Sequence, residues 1–369
     1  MKNLIQPFKV SFSKEEINFF LSRAESTLSE GSLIPGKNNA ELEEKFAEFI
    51  GTKYAVTVST GTTALEVIFR IFELANFEVL VPANTNYATA EAAIRAGAKP
   101  VLYDSDLFPD FENIKAQITS ATKAIVLVHI GGYISPEIEK IVDYCKQHNL
   151  LLFEDASHAH GSRYNNKSAG TFGHASAFSM FATKILTTSE GGIIVSNNQK
   201  VRELGLIYRD QGKDTEGIRN IVFGSAWRMS ELHAALGLAQ MPNAAKYIRR
   251  NNKIVNFYIQ HLDQKKLEIP YDANTYYSGY KFVVLARSHS DRESLKSFLV
   301  ENDIKPGKGI YDVPLHRQPA LSSLNHSKYP KSEKFAQTHL CLPIWKGLSD
   351  EEVSKVVDIV NNWQQKQIG

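Results

Sequence analysis

Between about residues 40 and 240, short and almost wholly apolar runs alternate with stretches of helical spacing. This alternation limits the possible folds more than any other feature of the chain. "YAVTVS" (54–59), "EVLVPA" (78–83), "KPVLYD" (99–104), "AIVLVHI" (124–130) and "LLLFEDA" (150–156) read as strands. Between them lie the helical segments "GTTALEVIFRIF" (61–72), "TAEAAIRAG" (89–97) and "SPEIEKIVDYCKQHN" (135–149). Ahead of the first strand, Leu42, Phe46 and Phe49 recur at helical spacing and end at Gly51, a natural left-handed helix stop. Strands that are apolar throughout cannot have a wet face. They imply an α/β fold with a mostly parallel sheet covered by helices on both sides.

Past residue 240 the pattern changes. A long helix ("AKYIRRNNKIVNFYIQHL") precedes a strand at 278–286 and a helix at 294–302. The chain then closes on "SDEEVSKVVDIVNNW", which opens with a capping box of Ser349 and Glu352. Residues 1–240 are therefore read as a large domain with a helical N-terminal segment, and 241–369 as a smaller α+β domain. The 369 residues suit that division. A net charge of +2 gives no basic field calling for nucleic acid or an anionic membrane. No apolar run approaches the ~20 residues of a membrane span, and no secretory signal is visible at the start. Cys145 and Cys341 stand far apart, outside disulfide or metal spacing. A cytoplasmic protein of enzyme size is expected.

Three features carry chemistry. In "STGTTAL" (59–65), Gly61 and Thr62 open a helix directly after a strand, where free amides, the helix dipole and hydroxyls suit a phosphate. In "LLLFEDASHAHGS", Asp155 ends a buried strand, where open α/β sheets place their binding crevice. In "SMFATKILTTSEGG", a lone Lys184 separates an apolar run from a Ser-Glu-Gly-Gly turn. Each has a plainer reading: a capped helix, a structural salt bridge, a surface lysine. His158 and His160 raise the idea of a metal, but no HExxH motif or cysteine cluster accompanies them. Taken together, anion cradle, strand-end carboxylate and lone amine are what pyridoxal 5'-phosphate (PLP) requires. Its phosphate needs the first, its pyridine nitrogen the second and its aldehyde the third. Ser179, five residues before the lysine, can add a phosphate contact.

Over nearly its whole length the sequence resembles the fold-type I PLP-dependent sugar aminotransferases, the DegT–StrS group. The resemblance runs through "PGKNNAELEEKFAEFIGTKYAVTVSTGTTAL", "VLVPANTNYATAEAAIRAGAKPVLYDSD", "LLFEDASHAHGSRYNNKSAGTFGHASAFSMFATKILTTSEGGIIVSN", "WRMSELHAALGLAQM" and "VPLHRQPA". It implies a seven-stranded, mostly parallel sheet sandwiched by helices and a smaller C-terminal domain. It also implies a homodimer with active sites at the subunit interface. Lys184 matches the Schiff-base lysine that also moves the substrate proton, and Asp155 the partner of the pyridinium nitrogen. His158 matches a position that hydrogen-bonds the ring hydroxyl, and Gly61, Thr62 and Ser179 match the phosphate cradle. Glu190 is expected near the site. Arg228 in "WRMSE" and His316 in "PLHRQPA" match segments that approach it, and both are expected to help select substrate.

The chain departs from the family at two places. The ring that usually follows the threonine of "PA-x-T" is replaced by Asn86, so either Tyr87 or another ring substitutes, or the pocket differs. The usual asparagine two residues before "RM" is Ala226. The implied reaction moves an amino group from glutamate to a nucleotide-linked keto-sugar, in making an aminosugar for a surface polysaccharide or glycosylated metabolite. A PLP-dependent sugar dehydratase or lyase is the runner-up, and a PLP-binding regulator with little catalysis a further alternative. Lysine rather than histidine at 184 argues against the sugar 3-dehydratases of this group. The missing GxGxxG after the first strand argues against a Rossmann dehydrogenase. Tyr276, Tyr277 and Tyr280 read as core or interface rather than as a ligand platform.

Overall fold

The structure is a computed structural model that describes residues 4–307, 309–324 and 327–366. Its centre is a seven-stranded sheet, five of whose strands are the predicted apolar runs. The strands are β1 (Tyr54–Val58), β2 (Glu78–Pro82), β3 (Lys99–Tyr103), β4 (Thr122–Val128), β5 (Leu151–Asp155), β6 (Ala175–Ser179) and β7 (Gly192–Ser196). Their order across the sheet is β1-β7-β6-β5-β4-β2-β3. All pairings are parallel except the two made by β7, which runs antiparallel to both β1 and β6.

The pleat explains why these runs are so largely apolar. Val56 and Val58, Val79 and Val81, Val126 and Val128, and Phe153 face one apolar core, with Ala64, Leu65, Ile68 and Phe69 of the helix Gly61–Ile71. Ala55, Leu80, Ile125, Leu127 and Leu152 face the other, against Leu42, Phe46 and Ile50 of the helix Lys37–Ile50 and Ile138 and Ile141 of the helix Ile138–Gln147. Each strand buries both its faces, so alternation with polar residues would leave unpaired polar groups in one core or the other. Gly51 has the expected left-handed conformation at the end of its helix, with φ of 90°.

The helix Ala244–His261 leads to a second sheet of β8 (Leu267–Glu268), β9 (Phe282–Ala286) and β10 (His339–Leu342), in the order β8-β9-β10 and antiparallel. The helix expected at 294–302 begins earlier, at His289, because Ser288 caps it by accepting the Asp291 N–H. The capping box of the last helix forms as predicted: Glu352 N–H donates to Ser349 Oγ at 3.1 Å, and Ser349 N–H to the Glu352 carboxylate at 2.9 Å.

Candidate active site

The parallel strands finish along one edge of the sheet, and antiparallel β7 starts there. Val58 pairs with Gly192, and Gly192 with Ser179, so the end of β1, the start of β7 and the end of β6 lie side by side. This edge is closely packed. A Cβ on Gly192 would fall 2.1 Å from the Thr60 carbonyl oxygen, and one on Gly61 would fall 2.8 Å from Ser179 Cβ. Only glycine lets the turn after β1, the Glu-Gly-Gly turn and the end of β6 approach so closely.

A cavity of about 240 Å³ opens at this edge. Gly61, Thr62, Asp155, His158, Ser179, Lys184 and Glu190 all line it. The sequence therefore placed seven of its candidates in one space. Thr60 caps the helix Gly61–Ile71 by accepting the Thr63 N–H at 3.0 Å. The amides of Gly61 and Thr62 are left without intrahelical partners at the helix's positive end, beside Ser179.

Asp155 is buried and makes no ion pair among the described residues. Its carboxylate accepts the Ser157 N–H at 3.2 Å and the Thr89 hydroxyl at 2.9 Å. A buried carboxylate with so few donors is suited to a cationic partner brought by a ligand. Lys184 likewise has no carboxylate within ion-pair distance among the described residues, and its Nζ lies 4.9 Å from the centre of the Tyr280 ring. Desolvation lowers its ammonium to about 7, helped by Lys281 and opposed by the charge of Asp155. His158 Nδ1 accepts the Gly131 N–H at 3.2 Å. Burial and the charge of Lys184 hold that imidazole well below its ordinary pKa, so it is neutral and carries its proton on Nε2.

This donor set fits PLP. Open amides and a hydroxyl stand where a phosphate would bind, an ion-pair-free carboxylate suits a pyridinium, and an amine whose charged form is disfavoured by burial suits an aldehyde.

Three expected residues lie elsewhere. Tyr87 is the first residue of the helix Tyr87–Arg95; it is 40% exposed and does not line the cavity. Its place is decided by Asn86, which does line the cavity and whose Oδ1 caps that helix by accepting the Ala88 N–H at 3.0 Å. Arg228 is also outside the cavity, drawn into an ion pair with Asp210. His316 is buried against Tyr329, with its Nε2 3.2 Å from Glu333. Arg228 and His316 have each found a nearer partner within the chain, while Tyr87 is turned to the surface.

Three further residues were not anticipated. Tyr280 packs on His158 with ring centres 4.5 Å apart and has its hydroxyl 3.2 Å from that of Thr183; it is not merely core. Tyr311 lines the cavity, and Thr89 supports Asp155. A hydroxyl one helical turn past "PANT" was the only sequence signal for Thr89. Tyr280 reads as core or interface from the sequence, and Tyr311 carries no signal there.

Residues 14–361 match the DegT/DnrJ/EryC1/StrS aminotransferase family. The chain is 32% identical to GDP-perosamine synthase of Escherichia coli O157:H7 over 365 residues, covering 97% of each protein. It is also 32% identical to dTDP-3-amino-3,6-dideoxy-alpha-D-galactopyranose transaminase of Aneurinibacillus thermoaerophilus, over 91% of this chain and 93% of that one. Among solved structures, PseC of Helicobacter pylori, an aminotransferase involved in the biosynthesis of pseudaminic acid, superposes with a TM-score of 0.90. It is 26% identical, over 99% of this chain and 100% of that one. With the family matched across almost the whole chain and the cavity furnished for its cofactor, this protein belongs to the DegT/DnrJ/EryC1/StrS aminotransferases.

Proposed function

We propose that this PLP-dependent aminotransferase moves an amino group from glutamate to a nucleotide-linked keto-sugar, and that it does so in the cavity at the end of β5 and β6. One observation carries the reading. Lys184, an amine poised near neutrality, shares a small cavity with Asp155, a buried carboxylate that lacks a cation. The relatives named above, two of them a perosamine synthase and an aminosugar transaminase, support the sugar class of the acceptor.

When bound, PLP supplies an electron-withdrawing ring that stabilises negative charge on the substrate carbon. The protein's own residues do the rest. Asp155 would keep the pyridine nitrogen protonated, and Thr89 and the Ser157 amide fix its carboxylate. Gly61, Thr62 and Ser179 would hold the phosphate, and His158, with Nε2 free to donate, would reach the ring oxygen. Lys184 would hold the cofactor through Nζ, and as a free neutral amine it would take and return the proton that moves during transfer; burial, which lowers its pKa, suits it to both tasks. Glu190 borders the cavity from the Glu-Gly-Gly turn.

The active unit is a homodimer with its sites at the subunit boundary. Phe223 is 93% exposed and Ile218 74%, on the loop that precedes Trp227 and Arg228. Apolar side chains so exposed suit burial by a second copy. Arg228 and His316 then serve substrate selection after exchanging the partners they hold here. Residues 1–240 form the cofactor domain and 241–369 the small domain. No helix among the described residues is long and apolar enough to cross a membrane, and we place the enzyme in the cytoplasm, where nucleotide sugars are made.

The test is to incubate the protein with PLP, glutamate and a panel of nucleotide-linked 3- and 4-keto-sugars, with mass spectrometry of the products. An aminosugar formed in step with 2-oxoglutarate is expected. The Lys184→Ala variant is expected to lose turnover by at least about a thousandfold, together with the visible absorption of the bound cofactor. Wild-type turnover in that variant would overturn the assignment of the site, and sugar consumption without 2-oxoglutarate would overturn amino transfer.

A further inference from the structure

Two carbocyclic aromatic rings line the cavity, the exposed Phe181 and the partly buried Tyr311, and residue 86 supplies none. Asn86 is committed to its helix cap, and Tyr87 faces outward. On the same side, a residue from the C-terminal part of the chain fills the space. Tyr311 lines the cavity with Asn86 and Asp155, and its phenol lies against the Thr85 hydroxyl and the Asn86 backbone. We propose that Tyr311 supplies the ring face against which the cofactor's pyridine packs, so that the C-terminal part of the chain closes a cofactor site otherwise built on the large sheet. This rests on the reading of the cavity as the PLP site.

Four observations support it. The segment that carries Tyr311 is fixed on both sides of the ring. Leu315 N–H donates to the Ala83 carbonyl at 2.8 Å, Ile310 N–H to His339 Nε2 at 2.8 Å, and Arg292 pairs with Asp312 at 2.7 Å. The ring plane is matched to the site: it lies within 18° of parallel to the His158 imidazole, with centres 6.1 Å apart. The hydroxyl end joins a polar chain that reaches the pyridinium partner. From Thr85, the Thr85 and Thr89 hydroxyls lie 3.0 Å apart, and Thr89 donates to Asp155. Finally, Tyr280, which packs on His158 and has Lys184 Nζ 4.9 Å from its ring centre, does not line the cavity, whereas Tyr311 lines it together with Asn86. A tyrosine can do both jobs at once, with an apolar face for a heteroaromatic ring and a hydroxyl for the threonines.

The experiment reads cofactor affinity rather than turnover. PLP binding to the apoprotein would be measured by equilibrium dialysis for the wild type, Tyr311→Leu, Tyr311→Phe and Tyr87→Leu. Tyr311→Leu is expected to weaken PLP binding about tenfold, Tyr311→Phe by no more than about twofold, since the ring survives. A Tyr311→Leu variant that binds as tightly as wild type would sink the proposal. So would an equal loss in Tyr311→Phe, which would credit the hydroxyl alone, or the same loss in Tyr87→Leu in place of Tyr311→Leu. Should the leucine variant misfold, Tyr311→Trp serves instead. Its added indole emission should be quenched on PLP binding well beyond the wild type's, and quenching no greater than wild type would overturn the assignment. The Lys184→Ala variant is run alongside. If it keeps the visible absorption of the cofactor, the site itself is misassigned; if it loses that absorption while Tyr311→Leu binds normally, only the ring assignment falls.

Discussion

Glu154 and Asp155 are neighbours at the end of β5, yet their surroundings differ completely. Glu154 is fully buried and its carboxylate is saturated. One oxygen accepts the amides of Phe172 and Gly173 and the Ser176 hydroxyl, and the other the Gly170 amide and the His129 ring. Asp155 is nearly as buried but receives only one amide and one hydroxyl, and it faces an open cavity. The first carboxylate is used up by the protein; the second keeps capacity in reserve. Burial alone therefore does not mark a functional carboxylate. The number of donors that the fold already supplies does.

The strongest way to break this contrast is to disturb the saturated member. Glu154→Gln puts an NH2 group where an oxygen accepts backbone N–H groups, so donors face donors in a dry core. The cost should be about 3–5 kcal/mol, as for other broken buried ionic networks. Chemical denaturation should show this as a lower midpoint with an unchanged slope. The wild type adds a pH signature. Burial alone would raise the carboxyl's pKa, but the His129 ring and the Gly170 and Gly173 amides outweigh it and hold it below the usual value. A carboxyl depressed in the folded state stabilises above its unfolded pKa, about 4.3, and loses that stabilisation as pH falls through the folded value. The wild type should therefore weaken steeply below about pH 4, and Glu154→Gln less steeply.

Asp155→Asn should do the reverse. It removes no ion pair, so its melting temperature should stay close to that of the wild type, while steady-state turnover falls at least about a hundredfold because the pyridine nitrogen loses its anionic partner. If Asp155→Asn destabilised the fold as much as Glu154→Gln does, the division between a spent and a reserved carboxylate would fail.

Where the sequence was legible, the controlling interactions were local. The apolar runs that announced β1 to β5 are apolar because each strand faces two cores, and such runs are visible in a window of a few residues. Lys184, Asp155, Gly61 and Ser179 met because each ends or follows a strand of one sheet, and parallel topology carries strand ends to a common edge. β7 was harder to see. "GIIVS" is apolar, but nothing local says that it reverses direction. Tyr311 was illegible for a further reason. It lies in an irregular segment between β9 and β10, and its position depends on Ala83, His339 and Arg292, all distant in sequence. Arg228 and His316 teach the converse: their motifs were legible, but a motif does not say which carboxylate a cation will choose, and here Asp210 and Glu333 are nearer.

The finest test of the contrast is Thr89, whose hydroxyl is one of the two donors Asp155 has. Thr89→Val keeps the β-branched shape and the buried volume but deletes the hydroxyl, so the helix Tyr87–Arg95 should stay in place. The loss amounts to the charge-assisted hydrogen bond to Asp155 and the hydrogen bond with the Thr85 hydroxyl, together roughly 2–4 kcal/mol at most and less where a bound pyridinium compensates. With PLP absent, the valine variant should therefore lose more stability than with PLP bound, because the cation of the ligand takes over the carboxylate that the threonine leaves. Paired thermal melts with and without PLP measure this as a larger cofactor-induced rise in melting temperature for Thr89→Val than for wild type. A rise equal to or smaller than that of the wild type would mean that Asp155 does not hold its spare capacity for the cofactor.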